Sequence, residues 1–304
     1  MNRDFFYSVN RYNKEQFKDK VYKISLNAGM TCPNRDGTLG YDGCIFCSRG
    51  GSGDFAPQAT LPISEQIDAS IKRISAKYKG GLFIGYFQAF TNTYGPVEYL
   101  EKIFTEAISD PRIVGLSIAT RPDCLEDDKI TLLKKLNRIK PVTIELGLQT
   151  CNETTAKYIN RGYSLEVFDD CVRRLKAANI NIVAHMIVGL PKESVADYMA
   201  TANHIASLGI NGIKIQLLHI LKDTRLADDY VSGKFDTLTL SEYVTVVVDI
   251  IEALPPDMVI HRITGDGPKN LLIAPLWSTD KKNVLNSINR EFRNRNTYQG
   301  KEYR

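Results

Sequence analysis

Residues 25–53 read S-L-N-A-G-M-T-C-P-N-R-D-G-T-L-G-Y-D-G-C-I-F-C-S-R-G-G-S-G, and they hold three of the six cysteines of the chain, Cys32, Cys44 and Cys47. Cys44 and Cys47 form a C-x-x-C pair, and Cys32 lies one loop upstream. Between them, Asp36-Gly37 and Asp42-Gly43 are dipeptides that favour tight turns with positive φ. A loop that folds back twice returns Cys44 to the neighbourhood of Cys32, so the three thiolates are expected to converge on one point.

Three thiols narrow the chemistry. A structural zinc site is closed by four protein ligands. Neither a fourth cysteine nor a histidine lies near this loop: the next cysteine is Cys124 and the first histidine is His185. A cubane iron–sulfur cluster usually takes four cysteines; held by three, it keeps one iron open for chemistry. Disulfide pairing and a distorted zinc site are the competing readings. The scattered remaining thiols and the lack of a signal-peptide pattern count against pairing. Phe46, inside the pair, is explained as well by loop packing as by contact with a cofactor.

The loop resembles the cluster-binding loop of the radical S-adenosylmethionine (SAM) superfamily, in which three cysteines hold a 4Fe-4S cluster and SAM chelates the fourth iron. The usual spacing there is C-x3-C-x-φ-C, with φ aromatic. This sequence keeps C-x-φ-C as Cys44-Ile45-Phe46-Cys47 and stretches the first interval. C-P-N-R-D-G-T followed by G-C-x-F-C is similar to a bacterial subgroup, the YtqA/YhcC-type proteins, related to the catalytic subunit of Elongator. The likeness runs over nearly the whole chain. It implies Cys32, Cys44 and Cys47 as metal ligands, with Phe46 shielding the cluster.

Composition agrees with an ordinary globular α/β protein. The net charge of +4 is too mild to announce nucleic acid. The longest apolar runs, near 181–190 and 244–254, are too short and too polar for a membrane span. Free thiols and the absent signal pattern make the cytoplasm the expected compartment. Residues 1–21 form a basic, aromatic lead-in that includes Arg3, Phe5, Phe6, Tyr7, Arg11 and Lys14. From residue 22 onward, buried-type strands near 22–26, 82–87, 113–119, 142–148, 180–188 and 212–218 alternate with helical periods. That alternation predicts a parallel sheet with right-handed crossovers. An open barrel and a doubly wound sheet fit it equally; the resemblance selects a partial (β/α)6 TIM-like radical SAM barrel over 22–238, with its cluster loop at 28–53. In such folds the working residues sit at the C-terminal strand ends. Residues 239–304 are expected as a short extension: a helix at 243–254, a short strand at 259–263, the loop Thr264-Gly265-Asp266-Gly267-Pro268, and a basic last helix and tail ending at Arg304.

Several strand ends carry polar residues that a plain core strand does not need. The second strand ends in Gln88 and lacks the Gly-Gly-Glu-like segment that holds the SAM ammonium in the family; Gln88 and Thr91 are equally readable as loop residues. Arg121 and Asp123 suggest a local salt bridge. In the fourth strand Glu145, Gly147 and Gln149 share one face, and a carboxylate in an apolar strand is costly unless satisfied. The matching E-x-G-x-Q and N-R-G/H segments line the SAM pocket in coproporphyrinogen-oxidase-like and Elongator-like enzymes. By that likeness Gln149 contacts the ribose, and Arg161 takes the methionyl carboxylate on its guanidinium fork. The alternative for Arg161 is an exposed helix-end charge. Residues 185–193 resemble the G-x-I-x-G-x-x-x-E segment that packs on adenine, with His185 in place of the first glycine, then Ile187, Gly189 and Glu193. A lone strand histidine is otherwise a satisfied core residue. Gln216 and His219 follow as substrate-side candidates. Cys124, Cys151 and Cys171 make no second set.

The resemblance implies reductive cleavage of SAM to a 5′-deoxyadenosyl radical, fed by an electron donor such as flavodoxin or ferredoxin. The Elongator-like branch implies tRNA as substrate and the carbon-5 side chain of wobble uridine as the target, carboxymethylaminomethyl going to aminomethyl. No acetyl-CoA-binding segment follows the barrel, so acetyl chemistry is not expected. The basic lead-in and tail, if joined near the barrel mouth, would offer phosphates a surface. The alternatives are a radical SAM enzyme acting on a small molecule such as a porphyrin precursor, and a metal-stapled RNA-binding protein without catalysis. No membrane contact is expected.

Overall fold

A computed structural model of the chain describes residues 4–51, 53, 56–76, 80–265 and 267–303. Arg3, Asp266 and Arg304 lie outside the described residues. Seven strands form one parallel sheet: β1 (Val21–Leu26), β2 (Leu82–Phe87), β3 (Ile113–Thr120), β4 (Val142–Gln149), β5 (Asn181–Val188), β6 (Gly212–Leu217) and, beyond the pair β7 (Ile220–Leu221) described below, β8 (Val259–Arg262). Their order is β1-β2-β3-β4-β5-β6-β8. This is the expected curled half-barrel with one strand more. The strand anticipated inside a separate extension instead joins β6 in parallel, Gly212 facing Val259. The barrel and the C-terminal residues therefore share one core, which contains Ile213 and Ile215 of β6 together with Val247, Ile251 and Phe292. β7 pairs antiparallel with β9 (Leu272–Ala274) beside the barrel mouth.

Crossover helices cover the outer face: α2 (Ile63–Ser75), α3 (Val97–Ser109), α4 (Asp127–Asn137), α6 (Leu165–Ala177) and α7 (Val195–Ser207), with the short α5 (Glu153–Tyr158) preceding α6. Alternation along each strand assigns the two faces. Leu26, Phe87, Ile118, Leu146, Met186 and Ile215 join the apolar core against the helices. Their neighbours Ser25, Tyr86, Ala119, Glu145, His185, Lys214 and Gln216 line a cavity inside the curl. Beyond the sheet come α8 (Arg225–Val231), α9 (Leu240–Ala253) and α10 (Lys281–Asn294). A capping box starts α9, with Thr239 and Glu242 each bonding the other's backbone N–H. No helix among the described residues is long and apolar enough to cross a membrane.

The lead-in corrects one expectation. It forms α1 (Val9–Phe17), capped by Ser8, whose hydroxyl accepts from Arg11 N. Tyr7 O accepts from Ile260 N at 2.9 Å, which sets the lead-in along β8. Gln299 of the tail accepts from Tyr7 N at 2.8 Å and donates to Pro255 O at 2.6 Å and Met258 O at 2.8 Å. Phe5 stacks on Phe292 with centroids 5.2 Å apart. Tyr7, Tyr12 and Tyr303 line a groove with Thr143, Asn181 and Val259, residues at the starts of strands. Both termini thus close the base of the barrel, the end opposite the mouth. Apolar burial of Phe5, Phe6 and Phe292 overrides the reading of these segments as a basic surface at the mouth.

Phe292 is fully buried between α10 and the lead-in. Phe292→Ala is expected to lower unfolding free energy by about 3–5 kcal/mol. Denaturant titration checks it: the midpoint should fall with the slope unchanged, and an unmoved midpoint contradicts the clasp.

Candidate active site

The cavity occupies about 530 Å³ at the C-terminal half of the sheet. Its floor is organised by Glu145 of β4, whose side chain is wholly buried. Oε1 accepts from Lys23 Nζ of β1 at 2.5 Å and from Ser117 Oγ of β3 at 2.6 Å. Oε2 accepts from His185 Nε2 of β5 at 2.8 Å and from Lys214 Nζ of β6. Both oxygens are thus doubly engaged, the full acceptor capacity of a carboxylate. An ionised carboxylate only accepts, so His185 carries its proton on Nε2. The Tyr86 ring of β2 lies between the two ammoniums, 4.9 Å from Lys23 and 4.6 Å from Lys214.

Burial alone would raise the carboxyl pKa of Glu145, but Lys214 and Lys23 hold it well below the usual range. Burial lowers Lys214 to about 7, against the pull of Glu145. Burial, aided by Lys214, lowers His185 to about 4, so its imidazole is neutral near pH 7. Burial of a charge without a partner costs several kcal/mol. This floor is consequently stable only as a set.

The cysteine loop leaves β1 and is pinned from two sides. Asn34, 1% exposed, donates to Asn160 O at 2.7 Å. Asn160 in turn donates to Gly43 O at 2.7 Å. Arg35 donates to Cys47 O at 3.0 Å and Ser48 O at 2.7 Å. The two Asp-Gly steps do turn with positive φ, 93° at Gly37 and 73° at Gly43. At Gly43 a Cβ would stand 2.8 Å from Arg35 Nε, so both its conformation and its lack of a side chain are used.

Cys32, Cys44 and Cys47 form no disulfide among the described residues, and all line the cavity. Among the described residues no three His, Cys, Asp or Glu side chains are placed to hold a single metal ion. The three thiols share one cavity, and the charges of Cys47 and Cys32 both act on Cys44. A donor set of that kind suits a cubane, whose thiolates bind different irons, better than a zinc ion bound by all its ligands at once. Burial, then the charge of Cys47, pushes the Cys44 thiol up to about 12. A thiol held that high ionises when a metal takes the place of its proton.

The other expected residues divide. Phe46, Gln88, Glu145, Gln149, Arg161, His185 and Ile187 all line the same cavity. Gly189 does not; it turns the chain behind the cavity at φ 96°, against Leu218 and Leu238. Gln149, at φ 68°, keeps a buried Oε1 without a hydrogen-bond partner among the described residues. Glu145 faces the cavity with no acceptor capacity left. Arg161 corrects its expectation. Its Nε donates to Tyr163 O, its Nη1 to Leu148 O and Thr150 O, and its Nη2 to Glu153. The fork anticipated for a cofactor carboxylate is spent on the end of β4, and at 1% exposure the side chain is no surface charge either. Arg121 does bridge Asp123, at 2.7 Å, and also donates to Arg161 O at 3.0 Å and lies over the Tyr163 ring. His219 lines the cavity with Nε2 buried and no hydrogen-bond partner among the described residues; burial lowers its pKa to about 4.

Sequence reasoning missed Lys23, Tyr86, Ser117 and Lys214. Their only signal was polarity at alternate positions of otherwise apolar strands.

A curled parallel sheet with three loop thiols and a polar, cation-bearing cavity at its C-terminal edge defines a cofactor-dependent barrel enzyme. The family model described as Radical SAM superfamily matches residues 2–205, and that of the Radical_SAM C-terminal domain matches residues 210–294. The chain belongs to the radical SAM superfamily. It is a radical SAM enzyme, of a family that binds a 4Fe-4S cluster and SAM. It is 46% identical over 296 residues to YtqA of Bacillus subtilis, covering 97% of this chain and 92% of YtqA. It is 33% identical over 267 residues to YhcC of Escherichia coli K12, covering 88% and 85%. Human Elongator complex protein 3 is 22% identical over 298 residues, covering 82% of this chain and 53% of that protein. In structure, the archaeal Methanocaldococcus infernus Elp3 superposes with TM-score 0.69 at 17% identity, over 92% of this chain and 64% of that one. Coproporphyrinogen III oxidase (HemN) of Escherichia coli gives 0.51 at 14% identity, over 76% and 53%. These two likenesses establish the fold.

Glu145→Ala leaves two ammoniums facing each other across Tyr86 and is expected to destabilise the apoprotein by about 3–5 kcal/mol. Chemical denaturation measures it; a loss under about 1 kcal/mol, the scale of a surface pair, contradicts the account of the floor.

Proposed function

We propose that this radical SAM enzyme acts on tRNA, converting the carboxymethylaminomethyl-type side chain on carbon 5 of the wobble uridine to the aminomethyl type. The observation that carries the reading is the cavity itself. Its wall holds three thiols, and its lining includes Arg35, Lys214 and Arg262 with Glu145 as its sole acid among the described residues, while Arg121 and Arg161 are paired with Asp123 and Glu153. Such a lining suits a negatively charged nucleotide beside the cofactor. Similarity to Elongator complex protein 3 over 82% of the chain supports the choice of tRNA. So does the YtqA/YhcC-like loop sequence. Bases modified in this way must leave the stack and enter a pocket.

Cys32, Cys44 and Cys47 would hold the cluster, which with bound SAM supplies a carbon-centred oxidant for hydrogen abstraction. The chain's own residues bind, orient and shield. Gln149 Oε1 and His219 Nε2 are buried polar atoms that a ligand can satisfy. Phe46 and Ile187 supply apolar wall. Both oxygens of Glu145 are taken by Lys23, Ser117, His185 and Lys214, so the floor offers a ligand donors and no free carboxylate.

Two measurements test the reading. After anaerobic reconstitution with iron and sulfide, reduction in the presence of SAM should release 5′-deoxyadenosine, and Cys32→Ala, Cys44→Ala or Cys47→Ala should abolish both the brown chromophore and that product. Retention of either contradicts the ligand assignment. Nucleosides of tRNA from cells lacking the gene should accumulate the carboxymethylaminomethyl form and lose the aminomethyl form; profiles identical to wild type remove tRNA as substrate.

A further inference from the structure

The cavity floor sets two amines, Lys23 and Lys214, against the single carboxylate of Glu145, and burial leaves Lys214 only partly protonated near pH 7. His185 is neutral near pH 7 and adds no charge. Lys23 keeps 27% of its side chain exposed, so solvent screens it, whereas Lys214 keeps 7%. Lys214 also pairs in register with Arg262 of β8, which lines the same cavity. Well-packed apolar residues would hold such an interior at least as well as ions do. A buried ammonium at the bottom of a cavity is better accounted for by a ligand that brings negative charge to it.

We propose that Lys214, with Tyr86 and Arg262 beside it, seats the carboxylate of the substrate. The identity of that carboxylate rests on the tRNA reading above. A carboxymethylaminomethyl group ends in a carboxylate and its aminomethyl product does not, so this seat holds the substrate and releases the product. The same chemistry could come from the amino-acid end of SAM. The binding measurements below distinguish the two sources. Tyr86 contributes its ring to the ammonium and accepts from Lys214 Nζ on its hydroxyl at 3.2 Å, which fixes where the ammonium points.

The test uses the cluster-loaded full chain and the variants Lys214→Met and Lys214→Arg, each first shown to keep its chromophore and assayed well below its own melting temperature, which Lys214→Met is expected to lower. Binding is measured for tRNA bearing the carboxymethylaminomethyl group and for the same tRNA bearing aminomethyl. Wild type should prefer the carboxylated tRNA by about tenfold or more, the scale of one buried charge pair. Lys214→Met should lose that preference and Lys214→Arg should keep it. Affinity for SAM should be unchanged in both. A parallel arm, independent of tRNA, compares N-methylglycine with dimethylamine by ligand-observed NMR. Wild type should bind the carboxylated fragment selectively, and Lys214→Met should not. An unaltered preference in Lys214→Met overturns the proposal, as does equal treatment of the two fragments by wild type. Weakened SAM binding in Lys214→Met reassigns the seat to the cofactor and overturns it as well. Should tRNA not be the substrate, both tRNAs fail alike while the fragment arm still decides the carboxylate seat.

Discussion

A single buried carboxylate holds the interior of this barrel together. Neighbouring strands lie about 4.8 Å apart, so β1 and β4 would stand about 14 Å apart in a flat sheet. A lysine does not extend that far. Yet Lys23 of β1 and Lys214 of β6 both reach Glu145 of β4. The sheet must curl for those bonds to exist, and once they exist they resist flattening. Hydrogen bonds from Ser117 and His185 complete the set and leave no lone pair of Glu145 for water. The interior is therefore a polar joint drawn from six strands, while the apolar core lies outside the sheet, between it and the helices.

Above that joint the cavity is assembled by residues that position one another. Asn34 and Asn160 exchange bonds between the cysteine loop and the turn after α5. Arg161 and Arg121 secure the turn after β4 and the start of the segment after β3. The thiol loop, which has little regular structure of its own, is thus indexed to strand ends that do. Chemistry with a reactive carbon-centred species depends on such indexing, because the protein's contribution is placement and exclusion of side reactions.

Much of this was legible in the sequence, and the gaps have physical causes. The first six strands and the crossover helices announce themselves through apolar runs and a helical period, and the structure places them within a few residues of expectation. The seventh strand of the sheet, β8 at Val259–Arg262, reads as a short isolated strand because it is half polar; only the open edge of β6 reveals that it belongs to the sheet. The lead-in looked like a charged surface because its lysines and arginines are numerous, while Phe5 and Phe6, which determine where it docks, are few. At the site, cysteine spacing pointed to the right loop. Lys23 and Lys214 were invisible because a lysine in a strand is ordinarily read as a solvent-facing residue, and their partner lies on a third strand. Arg161 was assigned by motif to a ligand, but a motif does not show that four backbone and side-chain acceptors already surround its guanidinium.

The account reduces to a claim about place: three loop thiols holding iron above a floor fixed by Glu145. A crystal structure of the full chain, grown anaerobically after loading with iron, sulfide and SAM, tests it most directly. It should show a cubane bound by Cys32, Cys44 and Cys47, SAM within reach of Gln149, and Glu145 still held by Lys23, Lys214 and His185. One zinc ion at the loop, or a cluster held by other cysteines, would contradict it.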